Sequence, residues 1–130
     1  MLISAQPDIS LLILRIGLGI IFILHGWPKI KNPTGMKGMV GTLPSILAAI
    51  AEFFGGLGIL LGFLTQIAAL GIFFNMLVAL YFHKFKWKDI FIGKEKFGYE
   101  YPFILCLAAL ALLLLGAGAY SIDAYFGFYP

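Results

Sequence analysis

Four runs of apolar residues follow one another along the chain, each stopped by proline or by a short polar break. The first extends from about Ile9 to Trp27 and meets Pro28, which cannot donate a backbone hydrogen bond and disfavours helix just before it. The second runs from about Leu43 to Leu64, with Pro44 in its first turn, where a missing N–H costs nothing. Thr65 and Gln66 are the only polar residues before the third run, which continues to about Phe82. The fourth opens at Pro102 and runs through Phe103–Leu115 to about Tyr120. A bilayer is crossed by ~20 predominantly apolar residues in a helix, the only open-chain form that satisfies its own backbone in lipid. The pattern therefore predicts an all-α protein, a polytopic membrane four-helix bundle. It forms a single transmembrane domain over residues 1–130, with spans at about 9–27, 43–64, 66–82 and 102–120.

Composition agrees with this and excludes the alternatives. Of 130 residues, 62% are hydrophobic and only 12% charged, with a mean hydropathy of +1.00. Soluble domains carry roughly twice that charged fraction, and disordered chains have the opposite balance. One cysteine excludes a disulfide framework within the chain, and Cys106 in mid-span reads as packing. The leading residues contain Asp8 and no Lys or Arg, so a cleaved signal peptide is not expected.

The few charges are sorted. Lys29, Lys31 and Lys37 fall between the first two runs, and Lys84, Lys86, Lys88, Lys94 and Lys96 between the last two. Four spans place these connections on one side, so the positive-inside bias puts loops 29–42 and 84–98 in the cytoplasm and both termini outside. The second loop interleaves its lysines with Phe85, Trp87, Phe91 and Phe97, as expected of a segment at the level of the lipid headgroups. This second loop is alternatively a docking surface for a cytoplasmic partner. The net charge of +3 follows from topology, and no nucleic-acid partner is expected. Glycines within the spans, such as Gly58 and Gly62, suit close helix packing, within the bundle or in a homo-oligomer.

Ionisable groups in spans are costly, roughly 2.5–3.5 kcal/mol each on insertion scales, and by default mark function or pairing. Here they are Arg15, His25, Glu52, His83 and Glu100, with Asn75 as a neutral companion. At ~1.5 Å rise per residue, His25, His83 and Glu100 lie near the cytoplasmic end, with Glu52 and Asn75 both about 12 Å deep. Arg15 lies about 18 Å from that side. Glu52 is its expected partner, and Asp123 an outer cap. The histidines and carboxylates, with Phe, Trp and Tyr around them, suit a quinone-type pocket in which polar side chains bond the carbonyls and pass protons. His25 and His83 could alternatively be axial ligands of a b-type haem. No metal is expected, because no ligand pair has i, i+3 or i, i+4 spacing. No hydrolytic triad, phosphate loop or nucleotide fingerprint is present.

Several segments together resemble the DoxX family of small four-helix membrane proteins. They are Arg15-Ile-Gly-Leu-Gly19, His25-Gly-Trp-Pro-Lys29, Ala51-Glu-Phe-Phe-Gly-Gly56, Gly98-Tyr-Glu-Tyr-Pro102 and Gly116-Ala-Gly-Ala-Tyr-Ser-Ile-Asp123. The likeness extends from about Leu11 to Asp123 and implies a redox-linked or quinone-linked protein. Arg15, His25, Lys29, Glu52, Glu100 and Asp123 stand on its motif positions. The family takes its name from subunits of a thiosulfate:quinone oxidoreductase, but the chain ends just beyond the fourth run, and thiosulfate is not carried over. The expectation is a quinone-interacting subunit of a membrane oxidoreductase complex, a non-autonomous enzyme component. Glu52 and His25 are its catalytic candidates, and Arg15, Asn75, His83 and Glu100 its substrate-binding candidates. Lys29 and Asp123 are structural. The alternatives are a non-enzymatic scaffold for a soluble redox partner and a small-solute or proton-coupled transporter.

Overall fold

The structure, a computed structural model, describes residues 6–93 and 98–128. The expectations for Lys94, Lys96, Phe97 and the first five residues lie outside it. Four helices form the bundle: α1 (Gln6–Lys31), α3 (Thr42–Leu61), α4 (Thr65–Tyr81) and α5 (Glu100–Leu115). Short helices α2 (Lys37–Val40) and α6 (Ile122–Tyr125) sit at opposite ends, and a π turn, Phe82–Lys86, extends α4. Helix α1 packs along α3, α3 along α4 and α4 along α5, while α1 touches α5 only slightly.

The stripes that face inward recur every three to four residues, as a helix requires. Leu11, Leu18 and Phe22 of α1 meet Ile59 of α3, Ala69, Ile72 and Met76 of α4, and Leu105, Ala109 and Leu112 of α5. The opposite faces are equally apolar: Ile13, Ile20, Leu24, Leu47, Phe54, Ile67, Phe74, Ile104 and Leu114 all stand exposed. Water would not tolerate so continuous an apolar exterior, whereas lipid is its natural solvent. Pro7–Lys31, Thr42–Leu61 and Thr65–Lys86 are each long and apolar enough to cross a membrane, and α5 is a shorter apolar helix. The chain is an all-helical, multi-pass membrane protein.

At their C-terminal ends three of the four long helices depart from the expected spans by three residues or more. Helix α1 continues through Pro28 to Lys31, because a proline so near a helix end removes a single bond, which leaves the ladder intact on both sides. Helix α3 stops at Leu61, where Gly62 takes the left-handed conformation (φ 69°) and Phe63 N–H reaches back to Gly58 O at 2.8 Å. That bond satisfies a terminal carbonyl in the Schellman manner. Helix α5 stops at Leu115 rather than near Tyr120, and Gly116, Ala117 and Gly118 continue as buried, non-helical chain.

Glycine sets the α1–α3 distance. A Cβ on Gly26 would lie 2.5 Å from Phe53 N, and one on Gly56 would lie 2.8 Å from Ile23 N. The two backbones are thus in contact, as small residues at membrane helix crossings allow.

Candidate functional site

The polar residues of the interior separate into two groups at opposite ends of the bundle. At the end that holds α6, Arg15 is 1% exposed and its guanidinium is surrounded by carbonyls. Its Nε donates to Ile59 O at 3.0 Å, Nη2 to Leu60 O at 3.3 Å, and Nη1 to Ala117 O at 2.9 Å and Tyr120 O at 2.8 Å. These acceptors belong to the last turn of α3 and the non-helical chain after α5, where the helical ladder runs out and lipid offers no substitute. Neighbouring side chains serve the same stretch of backbone. Asp8 Oδ1 accepts from Ala119 N–H at 2.9 Å, and Ser121 Oγ donates to Gly118 O at 2.7 Å. Asp123 accepts from Leu64 N–H at 2.7 Å and Thr65 N–H at 2.9 Å, capping α4 from a distance. The expected Arg15–Glu52 pair does not form, and Asp123 alone of the other candidate residues shares this end with Arg15. Closeness in depth along a bundle axis does not fix which way two side chains face.

At the other end α1, α3, α4 and α5 diverge around a cavity of about 350 Å³, within the usual size range for small-molecule sites. Glu52, 4% exposed on α3, is its deepest charge. Lys29 Nζ lies 2.8 Å from Glu52 Oε1 and 2.7 Å from Oε2, and Asn75 Nδ2 donates to Oε1 at 2.9 Å. Lys29, expected in a loop, reaches Glu52 because α1 runs past Pro28. The Glu52–Asn75 contact agrees with the equal depths counted along the two helices.

Two histidine pairs complete the polar wall. His25 Nε2 is 3.1 Å from Tyr101 Oη, and His83 Nδ1 is 2.6 Å from Asp89 Oδ2. The π turn positions the second pair: Trp87 N–H bonds to Phe82 O at 2.7 Å, five residues back, and Asp89 N–H returns to His83 O at 2.7 Å. This closure lays the Trp87 ring edge-on to His83, 4.8 Å between centroids. The remaining lining is apolar and soft: Phe22, Met76 and Leu105 from the long helices, and Met36, Met39 and Val40 at α2. Glu100, grouped with these residues on depth, does not line the cavity. It borders a shallow groove with Phe91, Phe103 and Ile104, in the first turn of α5 where a carboxylate suits the helix dipole.

Sequence reasoning missed Tyr101 and Asp89. The buried positions Leu112, Ala109 and Leu105 step back by helical periodicity to 102 and 101, so the stripe itself brings Tyr101 to the inward face beside Pro102. Asp89 carries no such signal, since its approach to His83 depends on the π turn. In each histidine one ring nitrogen is engaged, His25 Nε2 by Tyr101 and His83 Nδ1 by Asp89. Among the described residues no group of three or more His, Cys, Asp or Glu is arranged to hold a metal ion. Cys106 is buried, with Sγ 4.0 Å from Phe73 O.

The fold and cavity define a class: a small multi-pass helical membrane protein with a polar site enclosed at one end of its bundle. The DoxX family pattern matches residues 10–84, and the chain belongs to that family. It is 36% identical to inner membrane protein YqjF of Escherichia coli strain K12, over 89% of this chain and 91% of that protein. It is 31% identical to inner membrane protein YphA of the same strain, over 92% and 91% of the two chains. The Bacillus subtilis strain 168 protein named "Putative oxidoreductase CatD" is also 31% identical, over 91% of this chain and 87% of its own length. No solved structure gives a significant match.

Proposed function

We propose that the protein is a quinone-interacting subunit of a membrane oxidoreductase complex, binding the headgroup in the cavity between the four long helices. The observation that carries this reading is the convergence of both histidines, Lys29, Glu52, Asn75 and Tyr101 on one cavity otherwise walled by aromatic, methionine and aliphatic side chains. A quinone needs an apolar slot for its ring and hydrogen-bonding groups for its oxygens, and this lining supplies both. Tyr101, His25 and His83 can bond oxygens, while the Glu52–Lys29 pair can hold or exchange a proton at the deep end. The oxidoreductase name of one relative is in keeping with a redox role. Electrons would come from a partner docked on loops 29–42 and 84–98, and the lysines there would lie on the cytoplasmic side with both termini outside.

The test uses Trp87, which lines the cavity. In a Trp27→Phe background, a short-chain 1,4-benzoquinone should quench Trp87 emission saturably at one site per chain in nanodiscs. Glu52→Gln should weaken that binding about tenfold, the effect of losing about 1.4 kcal/mol. Unsaturable quenching, equal in both proteins, contradicts the proposal.

A further inference from the structure

The quinone reading leaves open which atom meets the ligand's oxygen, and the π turn answers it. His83 bonds through Nδ1 to Asp89, and its Nε2 has no hydrogen-bond partner among the described residues although the residue lines the cavity. Asp89 is held in turn: its N–H is bonded to His83 O, its side chain is only 10% exposed, and Lys88 before it takes a positive φ of 53°. A non-glycine residue in the left-handed region costs energy and persists where the surroundings impose it. The chain thus adopts an unfavourable conformation and a π-type widening, both within a segment that brings one carboxylate onto one ring nitrogen.

We propose that Nε2 of His83 is the atom that bonds a quinone oxygen at the cavity mouth, with Asp89 the positioning residue that orients the ring. This rests on the quinone reading above and extends it. With Asp89 accepting at Nδ1, the neutral imidazole presents Nε2 as an acceptor, suited to the hydroxyl of a quinol. The imidazolium presents Nε2–H as a donor, suited to the carbonyl of a quinone. One ring therefore serves both redox forms of the ligand by gaining or losing a proton. Facing His83 across the cavity are His25 and Lys29 of α1, Glu52 of α3 and Tyr101 of α5, and Lys84, Lys86 and Lys88 flank it on its own segment.

Calorimetric titration of the full chain in nanodiscs tests this with a short-chain 1,4-benzoquinone and, without oxygen, its quinol. Across about pH 5 to 8, where histidines change charge, quinone affinity should fall about tenfold as pH rises and quinol affinity should move the opposite way. His83→Gln should flatten both dependences. Asp89→Asn should shrink the opposition between the two ligands' dependences, because an amide can either accept or donate at Nδ1 and no longer fixes which role Nε2 plays; a purely structural role for Asp89 predicts that the folded variant keeps the opposition in full. Slopes that survive His83→Gln, or an undiminished opposition in Asp89→Asn, overturn the assignment. Binding of both ligands with no pH dependence overturns it while leaving the quinone reading intact. Absence of binding at every pH overturns both.

Discussion

Arg15 and Glu52 are buried charges on neighbouring helices, and each is satisfied by different means. Glu52 has a cation and an amide beside it in a cavity, an arrangement able to respond to a ligand. Arg15 is fixed by four carbonyls from two separate stretches of chain, an arrangement suited to holding the fold. Arg15→Lys keeps the charge but loses the planar fork, and each acceptor left unpaired costs about 1–3 kcal/mol. We expect Arg15→Lys to lose about 2–4 kcal/mol in detergent unfolding while the folded fraction binds quinone as before. Weakened binding in folded Arg15→Lys would return Arg15 to the site. The sequence marks both residues as exceptional but does not pair them. Counting along helices gives depth, hence the shared level of Glu52 and Asn75; it does not give the bearing of a side chain. Carbonyl acceptors leave no trace in a sequence at all, so the partners of Arg15 are invisible there.

At the scale of elements, the apolar runs reveal four helices but not all their ends. Pro28 reads as a stop and is crossed, and that one extra turn makes the difference between a loop lysine and the partner of Glu52. The run to Tyr120 reads as helix throughout, since residues 116–119 hold no charged or polar side chain, yet Gly116 breaks it (φ 78°). That break is tolerated in a membrane segment because Arg15, Asp8 and Ser121 serve the freed backbone. The α1–α3 seam carries the site's register, because Gly26 lies between His25 and Lys29 against Phe53. Gly26→Ala should force the helices apart, costing about 1–3 kcal/mol as overpacking does, and should weaken quinone binding along with stability. Unchanged stability would show that the seam yields without effect.

For the whole molecule, the polar site lies at the end of the bundle that carries the lysines, and the backbone clamp lies at the other. Labelling with a membrane-impermeant maleimide should therefore modify Tyr125→Cys and spare Lys88→Cys in right-side-out vesicles; the reverse pattern would invert the topology. Charge sorting makes the placement of the polar site at the lysine-bearing end legible from sequence, whereas the cavity arises only when several elements meet. Everything proposed for the site depends on this cavity receiving the headgroup. Photolabelling with an azidoquinone, followed by peptide mapping, puts that dependence to the proof. Label is expected on residues 36–44, 75–87 or 101–105, suppressed by excess unlabelled quinone. Label confined to the lipid-facing side chains of Phe74 and Leu114, and indifferent to competitor, would contradict it.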